Sequence, residues 1–122
     1  MRYVMFTFVD PADAATYEQW PQDEKDAFTE RHIAWFRRHG DRIEGGAELA
    51  EPATVKSLRP GRQGEGVVIT DGPFVETKEV LGGVIILEAD DMDAAVAIAA
   101  SWPTLDTLPN STVQVQPVFA RD

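Results

Sequence analysis

The residues best suited to chemistry gather in one stretch, "TDGPFVETKEVLGG", from Thr70 to Gly83. Glu76, Lys78 and Glu79 lie close together there, and in an extended chain Glu76 and Lys78 share a side. A lysine beside two carboxylates can hold one of them ionised, orient a substrate anion, or serve as an acid/base partner. The same three residues also describe an ordinary solvated surface. Asp71-Gly72-Pro73 has a turn logic of its own: Asp bonds its downstream backbone, Gly permits positive φ, and Pro fixes φ near −65°. The segment therefore reads as a hard corner or as a reactive site. As a site, it has Asp71 as the base, Lys78 as the anion-orienting group, Phe74 as a pocket wall, and Glu76 and Glu79 as substrate contacts. Gly82-Gly83, opening the next strand, predicts a bulge or the close approach of another group, because a strand glycine packs nothing.

A second candidate is His32. At 100° per residue Phe28, His32, Trp35, Phe36 and His39 fall in one helical sector, with Asp23, Asp26, Glu30, Arg37 and Arg38 opposite. A neutral imidazole among aromatic rings is either a general base facing a pocket or a core histidine satisfied by one hydrogen bond. His39 reads as a helix C-terminal residue favoured by the dipole.

Other chemistries lack support. His32 and His39 are two helical turns apart, too far for one ion on a straight helix, and neither H-E-x-x-H nor an EF-hand loop occurs. The expectation is no metal and no cofactor. G-x-G-x-x-G, a Walker loop and a G-x-S-x-G elbow are absent. With 0 Cys, thiol redox, disulfides and thiolate nucleophiles are excluded, which suits a reducing compartment.

Eleven basic against 21 acidic side chains give a net charge of −10, the wrong sign for a phosphate backbone, so no nucleic-acid partner is expected. No run approaches a membrane span, and "MRYVMFTFVD" lacks the apolar core and cleavage site of a signal peptide. The expectation is a soluble, cytoplasmic protein. The 122 residues, 43% of them apolar, suit a single domain, 1–122.

The elements that must position these residues follow from periodicity. Residues 2–9 alternate Val4, Phe6 and Phe8 against Tyr3, Met5 and Thr7, a strand apolar on both faces and hence central. A short acidic helical turn around Ala14 to Trp20 precedes a helix from Asp23 to His39, stopped by Gly40. A strand near Arg42 to Leu49 leads to a hairpin pairing Thr54–Arg59 with Gly66–Thr70. After the signature come a core strand, Val84–Ala89, an alanine-rich helix in "DDMDAAVAIAASWP", and a closing strand, Thr112–Phe119. Without the hairpin the order is β-α-β-β-α-β. The fold class predicted is α+β, a ferredoxin-like (split βαβ) domain with an inserted β-hairpin. Helices cover only one face of such a sheet, so a second subunit packed sheet to sheet, a homodimer, is expected to cover the other.

"TDGPFVETKEVLGG" closely resembles the signature of the YCII-related DGPF family, through Asp71, Gly72, Pro73, Phe74, Glu76, Thr77, Lys78, Glu79, Gly82 and Gly83. "MRYVMFTF", "LAEPATVKSLRPG", "DDMDAAVAIAASWP" and "VQVQPVF" follow the family's order across essentially the whole chain. The resemblance implies a dimeric α/β barrel and a conserved pocket whose reaction is unassigned in most members. "HIAWF", His32 to Phe36, is similar to the shorter YCII branch, where a helix histidine and an aspartate form the proposed active site; the spacing from His32 to Gly40 is about a turn shorter here. Two functions stand open. One is a cofactor-independent enzyme, or binder of a small organic molecule, working by proton transfer or elimination. The other is a non-catalytic regulatory or interaction dimer, in line with the association of some members with extracytoplasmic-function sigma factors.

Overall fold

The structure is a computed structural model that describes residues 1–72 and 79–120. β1 (Arg2–Val9) leads through Asp10 into α1 (Pro11–Glu18). Asp10 caps α1 by accepting from the Ala12 amide at 2.8 Å, and Pro11 sits where a helix needs no amide donor. α2 (Gln22–His39) is the long helix, with Asp23 and Glu24 in its first turn and Arg37, Arg38 and His39 in its last, each sign set against the opposite end of the helix dipole. β2 (Ile43–Glu48), the hairpin strands β3 (Lys56–Pro60) and β4 (Val67–Asp71), β5 (Val80–Glu88), α3 (Met92–Ala99) and β6 (Thr112–Pro117) complete the chain.

Four strands form an antiparallel sheet in the order β2-β5-β1-β6, and β3 and β4 form a separate two-stranded sheet. That is the ferredoxin-like, split-βαβ α+β arrangement, with the hairpin inserted between the second and third core strands. β1 is central as its two-faced pattern predicts, pairing with β5 on one edge and β6 on the other.

The two faces of β1 meet different surroundings. Tyr3 (2% exposed) and Met5 (0%) turn toward the helices and join Ile85, Leu87, Trp35, Ala89, Ala95, Ala99 and Trp102 in one core. Alanines at the buried positions of α3 let its backbone lie close to the sheet, and the two indoles fill the space between helices, meeting edge-on at 4.8 Å. Trp35 does not bury its N–H unsatisfied: Nε1 donates to the Ser101 hydroxyl at 3.0 Å. On the opposite face Val4, Phe6 and Phe8 of β1 and Val84 and Ile86 of β5 are only half-buried, flanked at the β6 edge by exposed Gln114 and Gln116.

β5 starts at Val80, earlier than the expected Val84, because pairing with β1 continues through the glycines to Val9↔Val80. The β1–β5 register jumps from Thr7↔Gly83 to Phe8↔Leu81, leaving Gly82 as the extra residue of a bulge. A Cβ on Gly82 would lie 2.9 Å from Val9 Cγ2, and one on Gly83 would lie 3.2 Å from the Ala47 carbonyl and the Thr7 hydroxyl. Both alternatives predicted for this pair, bulge and close approach, are therefore met. The hairpin register also differs slightly from expectation, running from Lys56↔Asp71 to Pro60↔Val67, so Asp71 ends a strand before the turn begins.

Leu87 is fully buried between the sheet and the helices. Leu87→Ala is expected to lower the unfolding free energy by about 2–5 kcal/mol in urea titration, the range for a core cavity that its surroundings cannot refill.

Candidate functional site

The signature begins as a built corner. Gly72 has φ +81°, a backbone region that glycine enters without strain. Its amide donates to the Val55 carbonyl at 2.7 Å, and the largely buried Ser57 hydroxyl donates to the Gly72 carbonyl at 2.6 Å. Asp71 pairs with Lys56 directly across the hairpin, and both side chains are largely in solvent. The carboxylate thus has a cationic partner from β3. Glu79 is half-buried where the chain turns into β5. Phe74, Glu76 and Lys78 lie outside the described residues, so the juxtaposition expected of Glu76 and Lys78 does too.

His32 is carried by α2, within a file of aromatic rings. Tyr17, Trp20 and Phe28 lead to it; its ring meets Phe28 at 4.7 Å and Trp102 at 4.8 Å, both edge-on, and Trp102 continues the file to Trp35 and Phe36. Its Nδ1 is 2.8 Å from the Phe28 carbonyl. A carbonyl only accepts, so Nδ1 carries a proton, and in the neutral ring Nε2 carries the lone pair. The aromatic sector is met, with Trp35 buried and Phe36 left 42% exposed, but Arg38, expected on the opposite side, lines a cleft with Trp35, because three residues turn a helix by about 300° and leave the two only about 60° apart. His32 and Asp71 are held by separate partners, Phe28 on the helix and Lys56 on the hairpin.

Three polar constellations were not visible in the sequence. Asp13, 2% exposed in the first turn of α1, accepts from the Asn110 amide and from Asn110 Nδ2, each at 3.0 Å, and so ties α1 to the loop before β6. Arg31 of α2 reaches Asp106 through two bonds of 2.7 and 2.9 Å and Thr107 through one of 2.8 Å, joining the helix to the 3₁₀ turn Pro103–Asp106. Hydrogen bonds from Thr107 and Arg31 hold the Asp106 carboxyl below the usual carboxylate range. The third is a network around Ser101. Its hydroxyl donates to the Ile98 carbonyl at 2.9 Å, accepts from Trp35 Nε1, and lies 3.2 Å from His39 Nε2. With the hydroxyl proton directed at Ile98, His39 donates from Nε2 and both oxygen lone pairs are occupied. Apart from Trp35 and His39, which the helical period already puts in one sector, the partners in each constellation are too far apart in sequence for any spacing rule to connect them.

The described residues form two clefts of note on different parts of the surface. One, of about 220 Å³, lies between α2 and the segment leaving α3 and is lined by Arg31, Ala34, Trp35, Arg38, Ser101 and Pro103. The other, of about 350 Å³, lies on the hairpin against Leu58, Pro60 and Val67. No group of three or more His, Asp or Glu side chains is arranged to hold a metal among the described residues. Nor is any helix among them long and apolar enough to cross a membrane.

These features define a small α+β protein of split-βαβ topology, with an apolar sheet face and a glycine-rich signature after an inserted hairpin. The chain belongs to the YCII-related family, whose domain profile matches residues 1–119. No curated protein matches it significantly in sequence. Among solved structures it bears a distant likeness to 5-chloro-2-hydroxyhydroquinone dehydrochlorinase from Burkholderia phenoliruptrix AC1100, in complex with 2,5-dihydroxybenzoquinone. The two share 16% identity over 93% of this chain and 91% of that one, with a TM-score of 0.48.

Burial, and then the adjacent Arg38 cation, lower the pKa of His39, while Asp41 acts in the opposite direction. The folded chain therefore binds fewer protons than the unfolded chain below the ordinary imidazole value of 6.5. This term lowers stability as pH falls from that value to the folded midpoint, and is level below it. Arg38→Gln is expected to raise the His39 midpoint and Asp41→Asn to lower it, as read by NMR titration of the imidazole ring protons. Arg38→Gln should not restore the ordinary value, because burial is the larger cause.

Proposed function

We propose that this protein binds a small organic molecule and, without a cofactor, carries out proton transfer or elimination on it. His32 and Asp71 are the candidate bases and Lys78 the anion-orienting group; Phe74, Glu76 and Glu79 border the substrate. The observation that carries the reading is the state of His32. With Nδ1–H anchored on a backbone carbonyl, the neutral ring has its acceptor at Nε2, and a proton taken there leaves the anchor intact. The surrounding rings of Phe28 and Trp102 suit a planar apolar substrate. A second reading, a non-catalytic regulatory or interaction dimer, is favoured by Asp71, whose carboxylate already pairs with Lys56 as a structural residue would.

In either case the working unit is a cytoplasmic homodimer. Val4, Phe6, Phe8, Val84 and Ile86 form an apolar sheet face with no helix over it among the described residues, and a second copy laid sheet to sheet removes that face from water.

Two experiments test this. A thermal-shift screen of small acids and phenols, repeated on His32→Asn, Asp71→Asn and Lys78→Ala, should yield ligands whose stabilisation is lost in at least one variant; ligands that stabilise all three as well as the parent would sink the proposed site. Light scattering after size exclusion should give twice the chain mass for the parent and a single chain mass for Phe6→Glu, which introduces an unpaired charge into the apolar face. A parent protein that runs as a monomer at micromolar concentration overturns the dimer.

A further inference from the structure

Arg31, Ala34, Trp35 and Arg38 recur every three or four residues along α2 and form one stripe. The stripe faces the segment leaving α3, where Ser101 and Pro103 complete the 220 Å³ cleft. None of the described signature residues takes part. Ala34, Pro103 and the edge of the nearly buried Trp35 give the cleft an apolar floor.

Its two cations are not equivalent. Arg31 is committed to Asp106 and Thr107, so its charge is already matched. Arg38 has no ion-pair partner among the described residues. Residues 31–42 also run against the composition of the chain. The whole carries −10, yet this stretch holds Arg31, Arg37, Arg38 and Arg42 against Asp41 alone. The local field draws anions where the rest of the surface repels them. The Ser101 hydroxyl is engaged by Trp35, His39 and Ile98.

We infer that this cleft binds a small organic anion, a carboxylate carried on a single ring, with its charge on Arg38 and its ring against Trp35 and Pro103. The volume sets the size, since it lies below the roughly 300–1,000 Å³ of sites for drug-sized ligands. A planar carboxylate accepts two parallel bonds from one guanidinium, a geometry that phenols and amides do not reproduce. Occupancy has a second consequence. The groups around His39 are Arg38 on its own helix, Asp41 on the turn that follows, and the Ser101 hydroxyl and Trp35 ring across the network. A carboxylate on Arg38 offsets the nearest positive charge, so binding moves the His39 titration midpoint upward.

Benzoate is the probe, followed by ¹H–¹⁵N NMR on the full chain, with benzamide and acetate as controls. The expected result is saturable movement of the Trp35 indole N–H and the Ser101 amide with benzoate, much weaker movement with either control, and a higher His39 midpoint in the complex. Arg38→Gln should weaken benzoate at least about tenfold, the scale of one lost charge-assisted contact. Arg37→Gln, one residue away but outside the cleft, should leave affinity unchanged. Ala34→Leu, a substitution that a helix tolerates, should fill the floor and abolish binding. Failure to saturate, equal binding of benzamide, or unchanged affinity in Arg38→Gln would overturn the site. The signature site is tested separately, because its ligands should respond to His32 and Lys78 variants and not to Arg38→Gln.

Discussion

Everything in this fold hangs on β1 being a strand with two apolar faces. Hydrogen-bonded on both edges, it has only its faces left to bury, and one layer of helices satisfies only one of them. Tyr3 and Met5 set the demand on the inner face. α3 meets it with alanines that permit close approach, and α2 meets it with Trp35, whose polar atom is taken up by Ser101. The chain's amino terminus is drawn into the same arrangement, donating to Glu88 at 2.6 Å and to the Ala89 carbonyl at 3.0 Å beside the end of β5. Val4, Phe6 and Phe8 are what remain, an apolar surface that the monomer leaves half-covered.

The signature occupies the route back from the hairpin into this sheet, and glycines govern both ends of that route. At Gly72 a positive φ turns the chain off β4, with Val55 and Ser57 clamping the corner. At Gly82 the bulge offsets β5 against β1, and no side chain fits between Val9 and the strand without a shift. A two-stranded sheet on its own is marginal in water, so these clamps have a structural duty whatever chemistry the intervening residues perform.

Charge follows the same division. Acids are spread over the surface, while the second half of α2 concentrates arginine. One of these residues, Arg31, serves architecture by gripping Asp106, and another, Arg38, stands over an apolar floor beside a histidine whose proton affinity it depresses. The long helix therefore carries two distinct settings, His32 within the aromatic file and Arg38 at the cleft.

Local physics was enough to lay out the elements. Alternation placed β1, the 3.6-residue period placed α2, and the glycine pair announced a bulge or close approach, whereas α1 opens at Pro11, ahead of the turn expected around Ala14 to Trp20, because Asp10 caps it. Strand ends were displaced where pairing with a neighbour extended them, as at Val80, since hydrogen bonding to β1 overrides the weak strand preference of glycine. Partnerships were a different matter. The sequence determined that His32 would sit in an aromatic sector and that Asp71 would lie at a corner. Only the tertiary structure decided that Trp102 flanks the first, that Lys56 neutralises the second, that Asn110 holds a buried Asp13, and that Ser101 joins Trp35 to His39. Periodicity reports which face a residue occupies, whereas its partner depends on how separate elements pack, and that is set by the core as a whole.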